Sequence, residues 1–257
     1  MRRVIAALLA VAALVLDPVM PPRSESAGGC THVVTNTGSY GSKFRVCVSA
    51  AGNIVEFEAP AGEDLIHPVF YEGYHLCSAS IMAYDHSSNA VAGFGAPVLV
   101  DSSPLTINRT TSNGVFTVTQ IFQPDKTEKD LKVTMKVKNN SAVTQTDVGI
   151  GRGWDAGTGL EEIGFVNLRY SVTMFYPEGV SGGGLTLTAL STGGVSTFLW
   201  TYDWWRDQVR GTATMCSANP SYALVDAQKD LFGFVSYFLG HIAPGATKTV
   251  IFSYRKV

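Results

Sequence analysis

Apolar and polar residues alternate along most of this chain with a period of two. In the run 131–137, Leu131, Val133, Met135 and Val137 alternate with Lys132, Thr134 and Lys136. Successive side chains of a strand point to opposite faces, so this run predicts a strand with an apolar face on a core and a basic, solvated face. The run 115–122 places Phe116, Val118 and Phe122 on one side. The polar connection 124–130 makes these two runs a long hairpin. Further strands are predicted at 31–35, 43–48, 53–58, 78–84, 143–150, 168–176, 185–190, 195–200, 231–239 and 247–254. Turn signals punctuate them: Asn139-Asn140-Ser141, Pro177-Glu178-Gly179, Gly182-Gly183-Gly184, Gly193-Gly194 and Pro244-Gly245.

No long stretch keeps a helical period, and only short helical turns are expected, near 203–209 and 226–230. About a dozen strands without intervening helices predict sheet packed on sheet. The expected fold is therefore all-β, an antiparallel β-sandwich of the size of a large double-sheet supersandwich. No composition shift marks a linker, so 29–257 is expected to be a single domain. Ala243-Pro244-Gly245 before the run 247–254 resembles the closing turn and strand of many bacterial β-sandwich modules. That resemblance speaks only to fold.

The first 28 residues break the pattern. Met1-Arg2-Arg3 precedes thirteen unbroken apolar residues at 4–16, then a stretch rich in proline and small residues to Gly29. This is the layout of an export signal peptide over 1–28. As a helix the apolar run spans only about 20 Å, too short for the roughly 30 Å core of a bilayer. No transmembrane segment is expected, and the protein is placed outside the cytoplasm, in a periplasm or the extracellular space. The formal net charge of −2 and the lack of a basic run argue against nucleic acid, whose phosphates are held by clustered Lys and Arg.

Export gives the four cysteines, Cys30, Cys47, Cys77 and Cys216, an oxidising environment. A hairpin over 30–48, turning between Gly38 and Ser39, sets Cys30 directly opposite Cys47, within reach of a disulfide. Cys77 and Cys216 are then left to close a long loop. No C-x-x-C pair favours zinc.

Four clusters bear on chemistry. Trp200-Thr201-Tyr202-Asp203-Trp204-Trp205-Arg206-Asp207 holds three of the four tryptophans. Flat rings beside polar groups suit a sugar, so Tyr202, Asp203, Trp204, Trp205, Arg206 and Asp207 are the ligand-binding candidates. The plainer reading is core, because aromatics dominate buried area. The glycine-rich stretch 149–162 carries Asp155 and Glu161, oxygen donors that calcium can use. Its spacing fits no EF-hand, and a loop steadied by an Arg152–Asp155 pair is the simpler expectation. No other cofactor is implied. A turn between Glu72 and His75 on one side and Asp85 and His86 on the other would gather an acid–base cluster; otherwise both histidines are ordinary surface groups. Gly179-Val180-Ser181-Gly182-Gly183 matches G-x-S-x-G, but a strand-like run follows where a nucleophile elbow needs a helix. Asn108-Arg109-Thr110 and Asn139-Asn140-Ser141 are formal glycosylation sequons, expected in turns.

These observations favour an exported, non-catalytic β-sandwich that binds carbohydrate or another envelope or extracellular component. Two alternatives share the scaffold. One is a carbohydrate-active enzyme using the His, Asp and Glu groups. The other is a structural or assembly subunit of the envelope whose sheet edges pair with neighbours.

Overall fold

A computed structural model describes residues 29–256 apart from 37, 39–42, 60–63, 67–71, 80, 88–90, 127–128, 156–163, 169–170, 177–182, 192–194 and 202–230. The described residues form an all-β sandwich without a helix. Their strands are β1 (His32–Thr35), β2 (Arg45–Val48), β3 (Ile54–Glu58), β4 (Asp64–Ile66), β5 (Glu72–Ser78), β6 (Ile81–His86), β7 (Val91–Ala92), β8 (Phe94–Ser102) and β9 (Leu105–Thr111). Then follow β10 (Phe116–Pro124), β11 (Asp130–Asn139), β12 (Gln145–Asp155), β13 (Gly164–Leu168), β14 (Ser171–Tyr176), β15 (Gly183–Ala189), β16 (Val195–Thr201), β17 (Leu231–Ile242) and β18 (Thr247–Lys256).

They build three sheets: an eight-stranded one ordered β13-β14-β15-β18-β11-β10-β9-β8, a six-stranded one ordered β16-β17-β12-β5-β6-β7, and a four-stranded one ordered β1-β2-β3-β4. The alternation sets the inner face of the large sheet. Val118 pairs with Val137, and Phe122 with Val133, while Val133 also pairs with Phe252. These residues are fully buried. Across the interior stand Leu76, Ile150, Trp154, Val235 and Tyr237 of the six-stranded sheet, in the same apolar cluster. Burying each such large side chain contributes about 1.5–3 kcal/mol. Val46 and Phe57 of the small sheet, with Phe44 just before β2, join that cluster too.

Cys30 and Cys47 form a disulfide with Cα atoms 5.3 Å apart. The expected register does not hold, however. Cys47 lies opposite Val33, and His32 opposite Val48, so Cys30 precedes the ladder and bridges from beside it. Cys77 is also disulfide-bonded; Cys216, its expected partner, lies outside the described residues.

Several boundaries differ from the sequence reading. The expected strand 78–84 begins at the end of β5, crosses the hairpin turn and coincides with β6 from Ile81, and the expected strand 168–176 falls within the hairpin β13–β14. The glycine-rich stretch is not simply a loop: Gly149 to Asp155 belong to β12, a central strand. Asn108, Arg109 and Thr110 sit within β9 rather than a turn. β15 begins at Gly183, so a strand follows the G-x-S-x-G match. The short helical turns expected near 203–209 and 226–230 lie outside the described residues.

Candidate functional site

β5 and β6 form an antiparallel hairpin in the middle of the six-stranded sheet, with β12 on the other side of β5. The hairpin brings Glu72, His75, Asp85 and His86 onto adjacent strands, but the period of two divides them between faces. Asp85 pairs with Tyr74, so Asp85, Tyr74 and Glu72 share the face turned into the sandwich. His86 pairs with Gly73, and Tyr84 with His75, so both histidines occupy the opposite face. Carboxylates and imidazoles are therefore back to back across one sheet. They are not one acid–base constellation.

On the inner face, Arg152 pairs in register with Tyr74 and thus lies diagonal to Glu72. Arg152 and Glu72 are both completely buried. The Arg152 guanidinium donates from Nε to Glu72 Oε1 at 2.9 Å and from Nη2 to Oε2 at 2.9 Å. Tyr254 O–H donates to Oε1 at 2.6 Å, and the Ile54 backbone N–H to Oε2 at 2.6 Å. The remaining Arg152 donors reach Gln120 Oε1 at 2.6 Å and the Gly52 carbonyl at 3.0 Å. Burial pushes the Glu72 carboxyl above its ordinary value, with Arg152 and the Tyr254 and Ile54 donors acting the other way. Burial also opposes the Arg152 cation, but Glu72 and Tyr254 more than offset it and raise its pKa. The expected Arg152–Asp155 pair is replaced by this one.

A second pair lies nearby. Asp85 Oδ2 accepts from Arg109 Nη1 at 2.6 Å, and Oδ1 accepts from Asn53 Nδ2 at 2.5 Å. Burial raises the Asp85 pKa, opposed mainly by Arg109. Arg109 also stands over the Phe94 ring, 5.3 Å from its centroid, a favourable cation–π position.

Both pairs converge on the turn at residues 49–53, which joins β2 to β3 and reaches between the large sheets. Tyr74 O–H and Gln120 Nε2 donate to the Ala51 carbonyl at 2.9 and 3.1 Å. Gly52 has φ +89°, and a Cβ there would collide with the Gln120 amide. The turn's carbonyls would otherwise be buried without partners, a cost of about 1–3 kcal/mol each. Arg152, Gln120 and Tyr74 supply those partners, while Asp85 accepts from the Asn53 side-chain amide. The chemistry of this arrangement is a joint between three sheets, in which no carboxylate is presented to solvent.

On the other face, His75 is buried in strand β5 beside Gly151, where a Cβ would strike its ring. It meets Phe234 edge-on with centroids 5.6 Å apart, and its Nε2 lies 3.3 Å from Ser236 Oγ. Desolvation lowers its pKa to about 4, and that of the fully buried His86 to about 3. Neither is the surface group expected from the sequence.

Trp200 belongs to β16, opposite Phe232; Tyr202, Asp203, Trp204, Trp205, Arg206 and Asp207 lie outside the described residues. Asp155 closes β12, and Glu161 lies outside. Among the described residues no group of three or more His, Cys, Asp or Glu side chains could hold a metal ion, and no helix is long and apolar enough to cross a membrane. The sequence reading missed Arg109, Gln120 and Tyr254. The signal was present: Gln120 and Arg109 occupy the inward parity of β10 and β9, among Phe116, Val118 and Phe122 and beside Ile107.

No protein-family model matches the sequence, and no curated protein matches it. Solved structures match the fold. A bacterial glucoamylase complexed with acarbose gives a TM-score of 0.59 at 10% identity, over 90% of this chain and 33% of that one. A heparan sulfate lyase mutant from Pedobacter heparinus gives 0.45 at 10% identity, over 88% of this chain and 36% of that one. A polysaccharide lyase gives 0.43 at 8% identity, over 89% and 33%. The chain thus spans about a third of the length of the solved chains it matches. The glucoamylase match shows a shared fold.

Proposed function

We propose that this chain is an exported β-sandwich that binds carbohydrate without turning it over. The observation that carries this reading is the engagement of Glu72 and Asp85. Both acids are buried and committed to arginines, and each pair also bonds to the 49–53 turn, one through Arg152 and the other through Asp85. Neither carboxylate is left for a substrate, and both histidines face away from them. The fold shared with a glucoamylase supports carbohydrate as the ligand class, and the disulfide between Cys30 and Cys47 fits an exported protein. The contact surface in this reading is the tract 200–207, whose Trp205 and neighbouring carboxylates suit a pyranose face and its hydroxyls.

The test is a glycan-array assay on the oxidised chain from residue 29 to 257, with and without calcium. Sugar binding that Trp205→Ala weakens, with the melting temperature unchanged, supports the reading. Loss on chelation directs attention to Asp155 and Glu161. A blank array on folded protein overturns it in favour of a structural envelope component, and turnover of a bound sugar overturns its non-catalytic part.

A further inference from the structure

β8 is the outer strand of the eight-stranded sheet and bonds only to β9 among the described strands. Edge strands are normally blunted by charge, proline or bulges, because a row of free N–H and C=O groups invites another strand. On β8, Pro97 and two register shifts limit the unprotected stretch to residues 98–100. Here Val98, Leu99 and Val100 are consecutive and exposed at 58%, 51% and 55%. Asp101 is the one charged residue from Phe94 to Ser102.

The backbone direction of this edge follows from the ladder. The Ser112 N–H donates to the Gly93 carbonyl at 2.8 Å. β9 pairs with β10 without a register shift, so its even positions turn their backbone groups toward β8 and its odd positions toward β10. Asn108 is even and pairs with Val98, while Leu99 pairs with Ile107. Val98 therefore bonds inward to β9, and Leu99 turns its N–H and C=O away from β9, to an edge that no described strand covers.

We propose that this edge joins two copies of the chain, antiparallel and centred on Leu99. Valine flanks Leu99 on both sides, so the apolar triplet reads the same in either direction. A two-fold contact requires that self-complementarity. With Leu99 opposite Leu99 of the second copy, each N–H donates to the other's carbonyl, and Val98 stands against Val100. Asp101 falls opposite Pro97, so the two aspartates are not apposed. Register shifts on β8 between Phe94 and Pro97 and between Leu99 and Asp101 confine the pairing to a short stretch. The contact therefore belongs to the small, transient class of interfaces. It merges the two eight-stranded sheets into one continuous sheet, and it does not depend on the carbohydrate reading.

Sedimentation equilibrium across about 10 μM to 1 mM, the range suited to a transient contact, tests this. A monomer–dimer equilibrium is expected. Leu99→Pro removes the outward N–H while leaving the bonds of Val98 to β9, and loss of two reciprocal bonds should weaken association by roughly tenfold or more. Val98→Lys with Val100→Lys should do the same. As an independent measurement, oxidised Leu99→Cys should run as a covalent dimer, because opposed hydrogen-bonded residues lie about 5.5 Å apart at Cα. A monomer at every concentration overturns the proposal, as does a dimer that these substitutions leave unchanged. A Leu99→Cys variant that does not cross-link overturns the register.

Discussion

Arg152 and Glu72 meet diagonally across β12 and β5 with both side chains removed from solvent, and their contacts join all three sheets. Tyr254 brings in the eight-stranded sheet, while Gly52 and Ile54 bring in the small one. Two charges are costly to bury, and only a full set of hydrogen bonds makes such a pair tolerable. That requirement explains why the turn at 49–53 has one position between the large sheets.

Arg152→Met should accordingly destabilise the protein by about 3–5 kcal/mol, since it leaves the Glu72 carboxylate buried and unpaired. Glu72→Gln should cost a similar amount, and the double variant should cost less than the two combined. Urea unfolding of the four proteins completes the cycle. Additive losses would show that the residues do not act as a pair.

Gly52→Ala probes the same joint from the backbone. The left-handed conformation alone costs a non-glycine residue about 1–2 kcal/mol. At Gly52 the added Cβ also meets Gln120, whereas at Gly114, with φ +75°, nothing lies within 4 Å. Thermal unfolding should show a larger loss for Gly52→Ala than for Gly114→Ala. Equal losses would mean that the turn shifts freely and is not clamped.

The fold was legible where one face meets core and the other meets water. β10 and β11 follow their alternation almost residue for residue, with Val118 set against Val137 and Phe122 against Val133. β8 and β9 were not read as strands. In β8, apolar Val98, Leu99 and Val100 are exposed on both sides of an edge, so no alternation arises. In β9, Arg109 interrupts the inward series begun by Leu105 and Ile107. The joint was hidden for a different reason. Glu72 finds Arg152 80 positions away, and Asn53 finds Asp85 32 positions away, separations on which local spacing is silent. The disulfide was legible as a pairing but not as a register, because Cys30 reaches Cys47 from outside the β1–β2 ladder.

Cys30→Ala opens the disulfide whose partners are 17 positions apart. Closing a loop of that size restricts the unfolded chain and stabilises the fold by about 3 kcal/mol. The midpoint of urea unfolding should fall accordingly in the variant. An unchanged midpoint would show that the four-stranded sheet does not unfold together with the sandwich.

The pH dependence of stability isolates His75. Its folded pKa is lowered from 6.5 to about 4 by desolvation. In the unfolded chain the ring takes up a proton as the pH falls through 6.5; in the fold it stays neutral until about 4. Between those values the unfolded state binds more protons, so stability falls as the pH falls. A shift of this size corresponds to roughly 3 kcal/mol. His86, lowered to about 3, acts in the same direction, while the raised pKa values of Glu72 and Asp85 give the opposite slope. The wild-type curve is thus a net result, and its difference from His75→Gln reports the histidine alone. From pH 7 to pH 4 the variant should lose roughly 3 kcal/mol less than the wild type. Parallel curves would mean that His75 protonates in the folded state, and that its face of the sheet admits water.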